Sequence, residues 1–354
     1  MTQPNHLPGV RSHHVATPRL GVHLLEAGDA DGEVVLFVHG NASSSTFWEE
    51  VMVGLPSGYR ALAPDLRGYG DTDDVTVDAT RGVGDWVDDL LGLMDALGVA
   101  SFHMVGHSLG GAVAYGVVAA RPSAVRSVTL AAPGSPYGFG GTRADGTPCH
   151  PDGAGSGAGS VNPEFVRRIG IADRTEDDPQ ASPRVVMNSF YWKPPFRAGR
   201  EEDLLTGLLS EKTGDDRFPG DAVPSPHWPG TAPGSFGPVN AISARWSVGL
   251  AASFLAADPK PPVLWVRGDS DQIVSDQSFF DLAVLGGMGL VPGYPGAEVF
   301  PPQPMVSQTR DVLSAYAADG GSYREVVLED TGHTPFIERP AAFGEAFHAH
   351  LAAS

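Results

Sequence analysis

The stretch that most constrains this chain joins an apolar run to a helix-compatible run through a Gly-x-Ser-x-Gly pentapeptide. The pentapeptide occupies residues 106–110, and the helix-compatible run covers residues 112–120. A serine at so sharp a turn takes a strained backbone conformation, which crowds the residues two before and two after it. Gly106 and Gly110 have no Cβ to clash there. The pattern therefore predicts a strand, a tight turn that lifts the Ser108 hydroxyl clear of the backbone, and a helix.

Apolar runs of strand length recur along the chain, and segments with helical periodicity separate them. The predicted strands are Val22–Ala27, Val34–Val38, Tyr59–Ala63, Phe102–Val105, Val125–Ala131, Pro262–Arg267 and Tyr323–Leu328. Strands that alternate with helices predict an α/β fold, in which a mostly parallel sheet carries helices on both faces. The chemistry of such sheets lies beyond the carboxyl ends of the strands, and the polar motifs of this chain fall there.

The composition changes in the middle of the chain. Residues 135–247 show no alternation of strands and helices and are rich in Gly, Pro and Ser. So long a stretch without regular structure is unusual inside a compact core. We therefore predict that residues 1–134 and 248–354 form the α/β core. Residues 135–247 are then a large cap, inserted between the strands near 125–131 and 262–267.

The balance of charge argues against two classes of partner. The 354-residue chain carries 42 Asp and Glu against 23 Lys and Arg, a formal net charge of −19. Binding to nucleic acid or to an anionic membrane needs a surplus of basic side chains that neutralises phosphate. We therefore expect neither partner. No apolar run resembles a signal-peptide core or reaches the length of a transmembrane helix, so we expect a cytoplasmic protein.

Metal ions and nucleotide cofactors are not expected either. The single cysteine, Cys149, excludes an internal disulfide and a metal site built on cysteines. His13 and His14 are adjacent in a terminus that we predict to be flexible. His348 and His350 lie on a predicted helix, where a spacing of two makes them face apart. No phosphate-binding loop or dinucleotide fingerprint occurs in the chain.

Three polar residues follow predicted strands in the order that a nucleophilic serine requires. A serine hydroxyl reacts when a base takes its proton, and the base works best when a carboxylate fixes its tautomer. In this kind of sheet the chain order is serine, acid, histidine, which here gives Ser108, Asp271 and His333. Asp269 and Asp276 are alternatives for the acid.

The oxyanion of such a reaction needs two hydrogen-bond donors. The backbone amide of Leu109 is one candidate, because it lies at a predicted helix N-terminus where negative charge is favoured. The second should come from the loop after the strand at 34–38, from Asn41 or, as second choice, from Ala42. The Asn41 side chain could enter the site or cap its own loop, and the sequence does not decide between these two roles.

Other residues near the motifs have structural interpretations. We expect His39 to brace its loop, and Asp65 and Arg67 to hold the turn after their strand. His107 either contacts substrate or packs, and Ala42 is also a candidate for substrate contact. In the predicted cap, Trp192 and Trp228 are candidates for substrate binding. The aromatic residues there favour an apolar or aromatic substrate of moderate size, although they also suit a small core of the cap itself; they are Phe190, Tyr191, Trp192, Phe196, Trp228 and Phe236.

Taken together, these motifs resemble the α/β-hydrolase superfamily. The matching segments are His39-Gly40-Asn41, Asp65-Leu66-Arg67-Gly68-Tyr69-Gly70, Gly106-His107-Ser108-Leu109-Gly110-Gly111, Gly268-x-x-Asp271 and Gly332-His333. The resemblance implies the fold and a Ser-Asp-His triad, and it is nearest to capped esterases, lactonases and carbon–carbon hydrolases. Haloalkane dehalogenases and epoxide hydrolases are related, but they need an aspartate nucleophile where this chain has Ser108.

The sequence thus predicts a cofactor-free serine hydrolase that cleaves a small carboxylic ester or lactone through an acyl-enzyme on Ser108. One alternative keeps the same triad and changes the reaction to carbon–carbon cleavage, acyl transfer or perhydrolysis. Another is a hydrolase-fold ligand receptor with little turnover. The sequence predicts neither the identity of the substrate nor the oligomeric state.

Overall fold

The computed structural model describes residues 5–354, which form twelve strands. They are β1 (Arg11–Ala16), β2 (Gly21–Gly28), β3 (Glu33–Val38), β4 (Tyr59–Pro64), β5 (Phe102–His107), β6 (Val125–Ala131), β7 (Thr213–Gly214), β8 (Phe218–Pro219), β9 (Ala222–Pro224), β10 (Thr231–Pro233), β11 (Val263–Gly268) and β12 (Tyr323–Leu328). Eight of them make one sheet in the order β1-β2-β4-β3-β5-β6-β11-β12. In this sheet the pairings of β2 with β1 and with β4 are antiparallel, and the other five pairings are parallel. The predicted mostly parallel α/β sheet is therefore confirmed.

Helices follow most of these strands. They are α1 (Glu49–Val53), α2 (Gly84–Ala96), α3 (Leu109–Ala120), α4 (Pro163–Gly170), α5 (Pro183–Val186), α6 (Glu201–Leu208), α7 (Pro238–Ala241), α8 (Leu250–Leu255), α9 (Leu282–Gly287), α10 (Met305–Ala318), α11 (Pro335–Glu338) and α12 (Pro340–Ala352). Short 3₁₀ turns lie at Ser45–Trp48, Ala79–Arg81, Pro122–Ala124 and Ala158–Ser160, and a π-helical turn lies at Met187–Tyr191.

The sheet is buried on both faces. One apolar cluster joins α2, α3, α8 and α10 to the sheet, through side chains such as Trp86, Val117 and Tyr316. The other joins the opposite face to α1 and α12, through Phe37 and Phe347. Strands with both faces covered must be apolar throughout, which explains the uninterrupted apolar run in β3.

The segment between β6 and β11 holds only short helices, the π-helical turn and two two-stranded sheets. Its buried apolar side chains, among them Met187, Tyr191 and Leu205, join the same cluster as Trp48 and Phe336 of the sheet's second face. Packing of this part of the chain is thus continuous with the core, without a separate core of its own.

Three predicted stretches differ from the structure. The terminus predicted to be flexible forms β1, an edge strand whose polar alternation needs no apolar run, because one face meets solvent. The pattern of residues 246–257 predicts a helix, but α8 begins only at Leu250, because Gly249 has φ 87°. The pattern of residues 277–285 predicts another helix, but α9 begins only at Leu282, where the Asp281 carboxylate caps it by accepting from the Ala283 amide.

Two features are absent from residues 5–354. None of their helices is long and apolar enough to span a lipid bilayer. No three of their His, Cys, Asp or Glu side chains come together in an arrangement that could hold a metal ion.

Candidate active site

The Ser108 turn has the strained geometry that the pentapeptide predicts. Ser108 has φ 53° and ψ −117°, in a region that residues with a side chain rarely occupy. It stands between β5 and the first residue of α3. Its carbonyl accepts hydrogen bonds from the amides of Gly111 and Gly134, each at 2.9 Å. The strained residue is therefore tied both to its own helix and to the loop after β6.

Three glycines leave the space that this turn needs. A Cβ on Gly106 would overlap the Gly110 backbone, and a Cβ on Gly110 would overlap the Val38 carbonyl. A Cβ on Gly40 would lie 3.0 Å from the Cβ of Ser108. The crowding predicted at Gly106 and Gly110 is confirmed. The end of β3 is part of the same tight contact.

Asp271 and His333 form a buried hydrogen-bonded pair in the loops after β11 and β12. The His333 Nδ1 and the Asp271 Oδ2 are 2.8 Å apart. The other carboxylate oxygen accepts from the amides of Ile273 and Val274, which fixes its direction. Because a carboxylate only accepts, Nδ1 carries the proton, and Nε2 is the nitrogen that can take up another.

The two alternative acids are engaged elsewhere. Asp276 lies in the loop after β11, and its carboxylate reaches the first turn of α10, where it accepts from the amide and the hydroxyl of Ser307. Asp269 accepts from the hydroxyl of the residue that follows it. Neither bonds to a histidine among residues 5–354. Of the three candidates, Asp271 is the acid that the structure brings to His333.

His107 links the Ser108 turn to the histidine loop. Its Nε2 donates to the His333 carbonyl oxygen at 3.0 Å, and the two imidazole centroids are 4.7 Å apart. Burial, together with the neighbouring His333, holds the pKa of His107 well below its usual range, so the ring is neutral. Its ring also meets Trp48 and Phe336 edge-on. These contacts favour the packing interpretation of His107 over substrate contact.

Two backbone amides beside Ser108 make no hydrogen bond within the described residues. Leu109 is the first residue of α3, where amides have no helical acceptor. The Asn41 amide lies in the loop after β3 and likewise has no acceptor there. Within residues 5–354 the Ser108 hydroxyl makes no hydrogen bond to His333. Catalytic hydrogen bonds commonly form with good geometry only when substrate binds. The predicted oxyanion donors are thus available to a ligand.

The side chain of Asn41 is held by a tyrosine. The Tyr69 hydroxyl donates to Asn41 Oδ1 at 2.8 Å, so the Nδ2 amide group is turned away from that contact. The Ala42 carbonyl accepts from the Tyr191 hydroxyl at 2.7 Å, and the Ala42 amide faces the Glu211 carboxyl without a hydrogen bond of normal geometry. This arrangement favours Asn41 over Ala42 as the second donor.

The structural roles expected of His39 and Arg67 are confirmed by their contacts. His39 accepts from the Leu66 amide at 3.0 Å and donates to the Gly40 carbonyl at 2.8 Å, so both ring nitrogens brace the loop. Burial lowers the pKa of His39. Arg67 binds Asp89 with two hydrogen bonds, at 2.7 and 2.8 Å.

The segment between β6 and β11 reaches both loops of the site. At the end of the π-helical turn, the Tyr191 hydroxyl holds the Ala42 carbonyl, and the Tyr191 carbonyl accepts from the amide and hydroxyl of Thr334. The next residue, Trp192, lies so close that a Cβ on Gly332 would approach its backbone to 2.7 Å. π-helical turns are frequent at functional sites, and this one connects the loop after β3 to the loop after β12.

The two tryptophans predicted to bind substrate have different surroundings. Trp192 is 1% exposed, and its Nε1 donates to the Asn188 side chain. Trp228 packs edge-on against Tyr294 and Phe300 in the long loop after α9. Packing accounts for both rings, so their contact with substrate stays a prediction.

Two buried acids beside the site follow from no motif. Glu338 accepts from the amides of Gly332 and Lys193, at 2.6 and 3.2 Å, and so holds the turn before His333. Glu211 lies between α6 and β7 and is 4% exposed. A single glutamate in a polar stretch carries no signal of burial, which is why the sequence does not reveal either residue.

Comparison with known proteins identifies the fold. A family model described as alpha/beta hydrolase fold matches residues 33–148. An esterase from Rhodococcus sp. ECU1013 superposes with a TM-score of 0.59 at 18% identity, over 98% of this chain and 99% of that one. This chain has the α/β-hydrolase fold. Carboxylesterase CesB from Bacillus subtilis gives the same TM-score at 12% identity, over 98% and 92% of the two chains. The fold class predicted from the motifs is therefore confirmed.

Relatives within the α/β-hydrolase fold carry several activities. An epoxide hydrolase from Caballeronia sordidicola is 38% identical over 127 residues, 34% of this chain and 36% of that protein. A 2-hydroxy-6-oxo-6-phenylhexa-2,4-dienoate hydrolase from Burkholderia cepacia is 34% identical over 117 residues, 32% of this chain and 40% of that protein. The chain thus matches less than half the length of these curated relatives. The range matched by the family model contains Asn41 and Ser108 and ends before Asp271 and His333.

Proposed function

We propose that this protein is a serine hydrolase that cleaves a carboxylic ester or lactone through an acyl-enzyme on Ser108. The observation that carries the proposal is the buried hydrogen bond between Asp271 and His333, in loops joined through His107 to a strained serine turn. In the proposed reaction, His333 Nε2 takes the proton of Ser108 Oγ while that oxygen attacks the carbonyl carbon. Asp271 stabilises the positive charge that develops on the ring.

The two amides beside Ser108 have a role in the same step. The carbonyl oxygen becomes an anion in the tetrahedral intermediate, and the Leu109 and Asn41 amides donate to it. When the intermediate collapses, His333 gives its proton to the leaving alkoxide, and the acyl group stays on Ser108. Water then repeats the sequence, with His333 as its base, and releases the acid.

We further propose that residues 135–247 act as a cap that covers this site. The contacts of Tyr191 with the Ala42 carbonyl and with Thr334 support this role, because they place the segment across both reacting loops. Aromatic side chains of the segment that are not fully buried, among them Phe190 and Phe236, support the proposal of an apolar or aromatic substrate of moderate size.

The test of this proposal is the Ser108→Ala variant. Wild-type protein should hydrolyse a member of a panel of p-nitrophenyl esters, aryl esters and lactones, and a fluorophosphonate should modify Ser108, as read by peptide mass spectrometry. We expect Ser108→Ala to lower kcat at least about 10⁴-fold with an unchanged circular dichroism spectrum. Residual activity close to wild type would contradict the mechanism. Wild-type protein that neither turns over nor is labelled would favour a hydrolase-fold receptor.

A second candidate reaction is hydrolysis of a carbon–carbon bond with the same residues. The similarity to the dienoate hydrolase from Burkholderia cepacia favours it. Epoxide opening is not proposed, because Ser108 stands where that chemistry is expected to need an aspartate. Parallel assays of a vinylogous 1,5-diketone and an ester of similar size would separate the two candidates by their kcat/KM values.

A further inference from the structure

Glu211 is a buried acid with no hydrogen bond to satisfy it. It lies in the segment between β6 and β11 and is 4% exposed. Both carboxyl oxygens are buried, and neither makes a hydrogen bond of normal geometry within residues 5–354. Natural proteins rarely leave a buried polar group in this state. A buried acid in this state beside the loop after β3 therefore calls for a functional explanation.

The groups that face Glu211 are polar but uncharged. They are the Tyr69 hydroxyl after β4 and the Ala42 amide after β3, and the Tyr191 phenol lies near enough to interact. The adjacent Lys212 directs its ammonium group to the Gly70 carbonyl instead. Burial without a cation raises the pKa of Glu211 well above its usual range. The side chain is therefore a carboxylic acid that carries a proton.

That proton bears on the direction of the neighbouring hydrogen bond. A tyrosine hydroxyl has a single proton to donate and can also accept. Tyr69 gives its proton to Asn41 Oδ1, so its oxygen remains available as an acceptor. The Glu211 carboxyl faces that oxygen, and its O–H group can donate a hydrogen bond to it. The resulting chain runs from Glu211 through Tyr69 to Asn41.

We propose that Glu211 is a positioning residue whose carboxylic proton keeps Tyr69 a donor to Asn41, which leaves the Asn41 Nδ2 amide group to bind the substrate oxygen at Ser108. The inference rests on the proposed function, because the substrate oxygen is the one that the acyl transfer makes anionic. It adds a third donor, from a side chain, to the two backbone amides.

Loss of the Glu211 proton reverses the direction of these hydrogen bonds. An ionised Glu211 accepts from Tyr69, and Tyr69 then accepts from Asn41 Nδ2. The Asn41 amide must turn over, so its Oδ1 faces the developing oxyanion and repels it. Because the neutral acid is the competent form, kcat should fall as the pH rises through the pKa of Glu211. A glutamine at this position can donate a hydrogen bond at every pH and cannot ionise.

The test compares Glu211→Gln with Glu211→Leu, using kcat for an ester between pH 6 and pH 10. We expect Glu211→Gln to match wild type at pH 7 and to lack the alkaline fall. Glu211→Leu and Tyr69→Phe should each lower kcat between about tenfold and a hundredfold, with a smaller change in KM. The double variant should be no worse than the poorer single variant. Glu176→Leu, at an exposed glutamate of the same segment, is the matched control and should behave as wild type.

Several outcomes would overturn the proposal. They are a Glu211→Leu variant within twofold of wild type, a Glu211→Gln variant as impaired as Glu211→Leu, and an alkaline profile identical in wild type and Glu211→Gln. Melting temperatures of all variants separate loss of folding from loss of positioning. The Ser108→Ala variant keeps this result distinct from the proposed function, because ester hydrolysis that survives without Ser108 would refute the mechanism and not merely the role of Glu211.

Discussion

Residues 5–354 contain two buried histidine–aspartate pairs whose hydrogen bonds are nearly the same length. His333 and Asp271 are 2.8 Å apart, and His23 and Asp65 are 2.7 Å apart. The second pair also has a serine at the imidazole nitrogen that does not contact the aspartate, since the Ser12 hydroxyl lies 2.8 Å from His23 Nε2. By distance alone, Ser12, His23 and Asp65 form the more complete Ser-His-Asp chain.

The surroundings of the two serines differ. Ser108 is the strained residue of a strand-to-helix turn, next to amides with no acceptor within the described residues. Ser12 lies on the exposed edge strand β1, in regular antiparallel pairing with Leu25. A carbonyl bound at Ser12 would meet no helix N-terminus of the kind that we propose receives the oxyanion at Ser108.

The carboxylates also serve different purposes. Asp65 accepts from the amides of Ser45 and Asp71 in addition to His23, so it ties three parts of the chain together. Although burial opposes its charge, the hydrogen bond and charge of His23 hold the pKa of Asp65 well below its usual range. This confirms the structural role expected of Asp65. In the proposed mechanism, the serine turn and the donors beside it give one histidine–aspartate bond a catalytic role, whereas the contacts of the other bond hold parts of the fold together.

The sharpest way to break this comparison is to replace each aspartate by asparagine. Asp271→Asn should lower kcat by about 10⁴-fold, because His333 loses its required tautomer. Asp65→Asn, the matched control, should cost about 3 kcal/mol of stability, because it breaks a buried pair, and should reduce kcat far less. Ester kinetics and urea unfolding measure the two effects. Equal losses of kcat in both variants would mean that the pairs do not have separate roles.

The pH dependence of stability gives a smaller effect. Burial lowers the pKa of His23, but the hydrogen bond and charge of Asp65 outweigh it and raise the pKa above the usual value. The histidine contribution is therefore complete below about pH 6.5 and is lost as the pH rises through the higher folded value, whereas the aspartate contribution is lost as the pH falls below about 4. His23→Gln should thus cost about 1 kcal/mol more at pH 5.5 than at pH 8.5. Urea unfolding at the two pH values measures this, and a cost that grows toward alkaline pH would contradict it.

The smallest expected effect belongs to Ser12→Ala. Since Ser12 lies on an exposed strand, its removal should change the free energy of unfolding by less than about 0.5 kcal/mol. Ester hydrolysis and labelling of Ser108 by a fluorophosphonate should stay at the wild-type level. A loss of ester hydrolysis in this variant would show that the second chain has a catalytic role after all.

The Ser108 side of this comparison could largely be predicted from the sequence, whereas the His23–Asp65 side could not. The Ser108 turn follows from local chemistry, because its glycines and apolar strand act within a few residues. Asp271 and His333 follow from their places after the last two strands. The expectation of a flexible terminus where β1 lies was wrong, because that strand depends on an edge pairing, and the predicted start of α8 was wrong, because it depends on one left-handed glycine.

The sequence does not reveal those contacts of the site that join residues far apart along the chain. Glu211 approaches Tyr69, and Tyr191 reaches Ala42, from a segment without regular periodicity. Their positions depend on how that segment packs against the second face of the sheet, and no local pattern encodes this packing. The same limit applies to His23, whose partner Asp65 was predicted only as a residue of its own turn.

The contacts of Tyr191 have a consequence for any attempt to redesign specificity. One residue of the segment that would shape the substrate pocket also anchors the loop that carries Asn41 and the loop that carries His333. A graft that exchanges residues 135–247 for another sequence would therefore detach both loops unless it keeps a phenol at this place. Chimeras that retain Tyr191 should be the starting point of such a library, and variation is best confined to side chains that do not touch either anchor.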